Sequence, residues 1–130
     1  ALRDAAAQGH AVQGATAWVT LEPCAHHGRT PPCSDALVAA GLARVVVGAH
    51  DPFQQVDGAG VARLRAAGIA VDMAEGPVAE ACRDINIGFF SRVQRGRPWV
   101  RLKVAASLDG VTALADGRSQ WITGAAARRD

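Results

Sequence analysis

The sequence predicts an α/β fold with a largely parallel sheet, and three observations carry that prediction. Short β-branched or apolar runs alternate with helix-length amphipathic runs along most of the chain, the pattern of right-handed βαβ units. Pro52, Gly68 and Pro77 punctuate these runs, so the breaks have a local chemical cause. The loop Pro23-Cys24-Ala25-His26-His27-Gly28-Arg29-Thr30-Pro31-Pro32-Cys33 joins a strand-like segment to a helix-like one, which is where α/β proteins build sites.

The elements follow in order. The chain opens in helical sequence at Ala1 (Leu2, Arg3, Asp4, then three alanines), without an initiator methionine. Thr16–Leu21 is β-branched and apolar and reads as a buried strand that delivers Cys24 at its end. Ser34–Ala40 reads as a helix capped by Ser34 and starting beside Cys33. Arg44–Ala49 is a β-branched strand, broken by His50-Asp51-Pro52 and followed by a glycine-bearing loop to Gly60. Val61–Ala67 is a short amphipathic helix with Gly68 as its C-cap. Ile69–Met73 is a further strand, after which Pro77 opens a helix through Ala81, Cys82, Ile85 and Phe89.

Arg95-Gly96-Arg97-Pro98 is the linker candidate, which divides the chain into domains at residues 1–96 and 97–130. Beyond it, Trp99–Val104 alternates as a strand does, Ser107-Leu108-Asp109-Gly110 makes a turn, and Val111–Ala115 returns as a second strand. Arg128-Arg129-Asp130 stands in the first turn or two of another helix. Both ends read as cuts through structure, so the expectation is a piece of a longer protein.

Bulk properties narrow the function. The chain has 130 residues, 49% hydrophobic and 20% charged, enough apolar matter for a real core. A net charge of +2 without a Lys/Arg cluster argues against nucleic acid. No apolar run spans a bilayer and no signal-peptide pattern opens the chain, so a cytoplasmic protein is expected. Three cysteines are an odd count, a poor fit to a secreted disulfide scaffold.

The loop concentrates the chemistry. Two thiols, two imidazoles and a guanidinium share a short segment whose path is set by glycine and proline. Thiolates are soft, strongly donating ligands suited to tetrahedral zinc. On the residues alone, a metal pair, ordinary buried thiols and a disulfide all remain open for Cys24 and Cys33, and His27 competes with Cys33 as second ligand. Cys82 falls on an apolar helix face and reads as a core residue, Trp18 and Trp99 as core or interface, and His50 as structural.

The loop is similar to that of zinc-dependent nucleobase deaminases, whose signature is His-x-Glu upstream and Pro-Cys-x-x-Cys downstream. Its wider form, TLEPCAHHGRTPPC, followed by ALVAAGLARVVVGAHDP, resembles the deaminase half of the bifunctional riboflavin-biosynthesis deaminase–reductase family. KVAASLDGVTALADGRSQWITG resembles the start of that family's reductase half.

The resemblance implies a cytidine-deaminase-like three-layer α/β/α domain lacking its N-terminal part. The first strands of a dihydrofolate-reductase-like α/β domain would follow. It implies zinc-dependent hydrolytic deamination of 2,5-diamino-6-(5-phosphoribosylamino)pyrimidin-4-one, then NADPH-dependent reduction of the ribosyl side chain to ribityl, in a homo-oligomeric parent. Carried onto this sequence, Cys24 and Cys33 are two of three protein ligands to zinc. The third ligand and the general acid/base glutamate belong to a His-Ala-Glu expected upstream of Ala1, so no catalytic residue is expected within the chain. His10-Ala11-Val12 is no substitute, because Val12 cannot move a proton and Gly14 leaves no room for a helix before the strand. Glu22 belongs instead to the family's Leu-Glu-Pro-Cys.

Substrate contacts carry onto His26, Arg29, Asp51 and Ser119, and NADP contacts onto Ala105 and Trp121, with Lys103 a further candidate. Phe53 stands where some members have asparagine. Two rivals remain: a single-domain zinc deaminase of bases, nucleosides or tRNA, and a non-catalytic zinc-binding module. The reductase-like segment speaks against the first, and a His-Ala-Glu upstream would exclude the second.

Overall fold

Three four-residue strands, β1 (Thr16–Val19), β2 (Arg44–Val47) and β3 (Ala70–Met73), form a parallel sheet in the order β1-β2-β3. The computed structural model describes residues 1–119, 121 and 123–129. Two compact units are present, Ala1–Trp99 and Val100–Asp130. In the first, helix α1 (Leu2–Ala7) precedes β1, α2 (Cys33–Ala39) links β1 to β2, and α3 (Ala59–Ala66) links β2 to β3. Helices α4 (Gly76–Ile85) and α5 (Ile87–Arg95) follow. The expected continuous helix through Phe89 is thus interrupted at Asn86, whose side-chain amide donates to the Cys82 carbonyl at 2.8 Å. That bond draws off a carbonyl at the end of α4 and favours a cap over continuation.

The register explains the two faces of the sheet. Ala17, Val45 and Val71 form one cross-strand row and Val19, Val47 and Met73 the next. These rows pack with Leu37 of α2 and Val61 and Leu64 of α3 into one core, in which Val45, Val47 and Leu64 are fully buried. Each such side chain contributes about 1.5–3 kcal/mol by leaving water. The alternate row, Trp18, Val46 and Asp72, belongs to the opposite face. There α4 packs closely: a Cβ on Gly48 would come within 2.3 Å of the Cys82 sulfur and 2.8 Å of the Thr20 carbonyl. Cys82 is accordingly a part-buried packing residue, and Gly48 is required by the close approach.

Two expectations need correction. β1 is not a buried strand, because it lies at the sheet edge and Trp18 is 74% exposed. Ser34 does not cap α2, since the helix begins one residue earlier at Cys33 with Pro32 as N-cap, which frees the Ser34 hydroxyl.

In the second unit the described residues form no strand, so the strands expected at Trp99–Val104 and Val111–Ala115 are absent. Alternation marks these segments as strand-like, but a strand needs a paired neighbour and they do not pair with each other. A turn does form, with Ser107 N–H donating to the Val111 carbonyl and Gly110 N–H to the Ser107 carbonyl, each at 2.9 Å. The final helix, α6 (Ala125–Arg129), matches the expected helical end, while Asp130 lies outside the described residues. Val104, Leu108, Val111 and Leu114 are all exposed. No helix among the described residues is long and apolar enough to cross a membrane.

Candidate metal and substrate site

The end of β1 and the start of α2 are stitched together at Cys24. Its sulfur accepts the backbone N–H of Cys33 at 3.3 Å. Its carbonyl accepts both the N–H of Ser34, at 3.1 Å, and the Ser34 hydroxyl, at 2.9 Å. Ser34 and Pro32 are almost completely buried and fix the return of the loop. The two cysteines are therefore neighbours although they stand nine positions apart in the chain. Burial pushes the Cys33 thiol above its ordinary pKa, and the adjacent Cys24 sulfur adds to that shift.

Both cysteines line a cavity of about 430 Å³, together with Leu2, Leu21, Glu22 and Asp51. Asp51 follows β2 and is 7% exposed. Its carboxylate accepts the N–H of Phe53 at 2.8 Å, a local turn that holds the Asp51-Pro52-Phe53 corner. Burial raises the Asp51 pKa and the Glu22 charge raises it further, against the opposing Phe53 bond and the His26 ring.

Glu22 is buried at 3% exposure and surrounded by donors from the segment 50–61. Burial would raise its pKa, yet hydrogen bonds from Val61, His50, Asp51 and Gly58 outweigh this and hold the carboxyl below its ordinary value. His50 takes the structural role expected of it, with Nδ1 at 3.2 Å from Glu22 Oε2.

The other expected residues are placed differently. His26 is half-buried and its ring centroid lies 6.1 Å from that of Phe53; its Nδ1 is buried without a partner among the described residues. His27 and Arg29 are exposed on the loop. His10 is exposed, and Val12 packs against the core, so neither approaches a catalytic role.

In the second unit, Lys103, Ala105, Ser119 and Trp121 are all exposed. Lys103 Nζ donates to the Ala127 carbonyl at 3.3 Å. Trp121 lies 4.1 Å, ring centroid to guanidinium, from Arg128. It also lines a cavity of about 800 Å³ with Ser107, Asp109, Val111 and Arg118, whereas Lys103, Ala105 and Ser119 do not. That larger cavity has no sulfur or imidazole in its lining and cannot replace the cysteine site.

The donor set at the cysteines fits part of a zinc centre. Two adjacent thiols, one sulfur already accepting an N–H, supply two of the four positions of a tetrahedral ion. Among the described residues no group of three or more His, Cys, Asp and Glu gathers to complete it. Sequence reasoning missed the anchoring by Ser34 and the contribution of Leu2 to the cavity wall. It also left Glu22 without a role, although an acid closing an apolar strand is itself a signal of buried hydrogen bonding.

Comparison with known proteins agrees with this geometry. The cytidine and deoxycytidylate deaminase zinc-binding region matches residues 1–49, which contain both loop cysteines. The RibD C-terminal domain matches residues 98–130. The riboflavin biosynthesis protein RibD of Escherichia coli is 56% identical over 122 residues, covering 94% of this chain. The chain is similar to RibD proteins along nearly its whole length. RibD of Aquifex aeolicus is 47% identical over 121 residues. The structure of Acinetobacter baumannii RibD superposes with a TM-score of 0.72 at 55% identity, covering the whole of this chain and 35% of that one. A Thermotoga maritima diaminohydroxyphosphoribosylaminopyrimidine deaminase/5-amino-6-(5-phosphoribosylamino)uracil reductase gives a TM-score of 0.74 at 42% identity, covering 95% of this chain and 35% of that one. The chain spans about a third of the length of the RibD relatives it matches, 33% for the Escherichia coli protein and for the Aquifex one. The first unit thus has a cytidine-deaminase-like α/β fold, and residues 98–130 match the start of the RibD C-terminal domain.

Proposed function

We propose that this chain is a fragment of a bifunctional riboflavin-biosynthesis enzyme, with residues 1–96 in its zinc deaminase domain and 97–130 opening its reductase domain. The observation that carries the reading is the convergence of Cys24, Cys33 and Asp51 on one cavity whose wall also includes Leu2. A ligand and a proton-transferring glutamate just upstream of Ala1 would then have only a short path to the cysteines. The first reaction replaces a ring amino group of the diaminopyrimidine ribosyl-phosphate by oxygen and releases ammonia. The second reduces the ribosyl group to ribityl at the expense of NADPH.

Zinc, when bound, supplies an activated water at neutral pH, and Cys24 and Cys33 are the residues that would hold it. Asp51 orients the substrate at the cavity wall. Arg29 offers a planar fork of donors to the substrate phosphate, and its exposure leaves that fork free for a ligand arriving from solvent. His26, half-buried in the same loop, is a second substrate contact. In the reductase segment Ser119 serves the substrate. The Lys103 ammonium, Ala105 and the flat face of Trp121 serve NADPH, a chemistry suited to phosphate and a planar ring. The parent acts in the cytoplasm as a homo-oligomer, on a small molecule rather than on nucleic acid.

The test is to assay the full-length protein containing this segment for zinc-dependent ammonia release from the diaminopyrimidine, and then for NADPH oxidation by the deaminated product. Absence of both activities in zinc-loaded protein would overturn the reading.

A further inference from the structure

The Glu22 side chain takes four hydrogen bonds, and all of its partners come from residues 50–61 rather than from the loop that carries it. Oε1 accepts the N–H of Val61 at 3.1 Å. Oε2 accepts the N–H of Gly58 at 3.2 Å, the N–H of Asp51 at 3.4 Å and Nδ1 of His50 at 3.2 Å. The carboxylate is completely shielded from solvent. A second tie lies beside it: a Cβ on Gly60 would sit 1.7 Å from the Pro23 carbonyl oxygen, so segment 50–61 rests directly on the backbone between Glu22 and Cys24. Asp51 and the two cysteines share a cavity, but they come from different βα connections. Something must set their separation, and an apolar side chain could fill the same space without directing any backbone group.

We propose that Glu22 is a positioning residue for substrate binding, holding Asp51 at a set distance from the Cys24–Cys33 pair through the backbone of residues 50–61. Its role rests on the reading of Asp51 as a substrate contact. The carboxylate is shut off from solvent and engaged by four donors from residues 50–61, so it acts through Asp51 and not on the reacting atoms.

The test uses the full-length protein with Glu22→Gln, which keeps the volume but turns an N–H₂ toward backbone donors. The Michaelis constant for the phosphorylated diaminopyrimidine should rise roughly ten-fold or more, the scale of losing hydrogen bonds to a charged group. Turnover number, zinc content and NADPH oxidation of the deaminated product should stay near wild type. In an Asp51→Asn background the same substitution should have a much smaller effect, because the two act as one unit.

Additive effects, or a fall in turnover and zinc content with no change in the Michaelis constant, would overturn the proposal. If Glu22→Gln does not fold, Glu22→Asp keeps the charge but shortens the reach to residues 50–61 and should raise the Michaelis constant with zinc content unchanged; an unchanged constant there overturns it. If wild type releases no ammonia, the functional reading fails, and hydrogen exchange decides the tie. Faster exchange of the Asp51, Gly58 and Val61 amides in Glu22→Gln upholds it, and unchanged exchange overturns it.

Discussion

The backbone N–H of Cys33 points at the sulfur of Cys24 across 3.3 Å, joining the first residue of α2 to the loop that leaves β1. A donor aimed at sulfur fixes the orientation of that side chain as a metal ligand. Cys24→Ser or Cys33→Ser should therefore abolish stoichiometric zinc in the full-length protein, read by atomic absorption, whereas His27→Ala should retain it. Zinc kept by Cys33→Ser and lost by His27→Ala would move the second ligand to the imidazole.

Arg29→Ala should raise the Michaelis constant for the phosphorylated pyrimidine by roughly 10–100-fold, the range expected for a lost charge-assisted phosphate contact. Zinc content should stay level. Arg29→Lys should recover part of the loss, since the charge remains while the planar fork goes. Equal responses to phosphorylated and dephosphorylated substrate would remove Arg29 from the phosphate site.

Asp51 is held above its ordinary pKa in the folded protein, chiefly by burial. The native state therefore binds a proton more tightly there than the unfolded chain does, and ionised Asp51 costs stability at neutral pH. Asp51→Asn should raise the melting temperature of the metal-free protein near pH 7 while weakening substrate binding. The stability gain should shrink as pH falls through the raised native pKa and vanish below the ordinary aspartate range. A gain independent of pH would show that burial of the charge is not its cause.

Leu64→Ala should cost about 2–5 kcal/mol in denaturant unfolding, the usual result of emptying a fully buried leucine site. Trp18→Ser, on the exposed sheet edge, should cost far less in the same measurement. A similar loss for both would mean that the edge face is covered in the folded protein.

Residues 1–130 expressed alone with added zinc should show neither ammonia release nor NADPH oxidation above a Cys24→Ser control. Among the described residues no third metal-binding group joins the cysteines, and no strand forms in the second unit. Turnover in either assay would show that the catalytic groups lie within this chain.

The sequence by itself determined the succession of strands and helices through β3 and the start of α4. Local signals decide there: β-branched runs at Arg44–Val47, Gly68 after α3, and a proline in the first turn of α4. It also determined the site loop, because two cysteines among prolines are legible as residue types without coordinates. Other features were decided only by tertiary structure. Trp18 reads as core or interface by residue type, and its exposed place on an edge strand, a matter of sheet order, takes it out of the core. The Trp99–Val104 and Val111–Ala115 segments carry strand alternation yet form no ladder, since pairing needs a neighbour that periodicity cannot supply. Glu22 reads as one more acid at a strand end. Its role appears only when residues 50–61 fold back over it, because hydrogen bonds between residues some 28–39 positions apart leave no trace in local pattern.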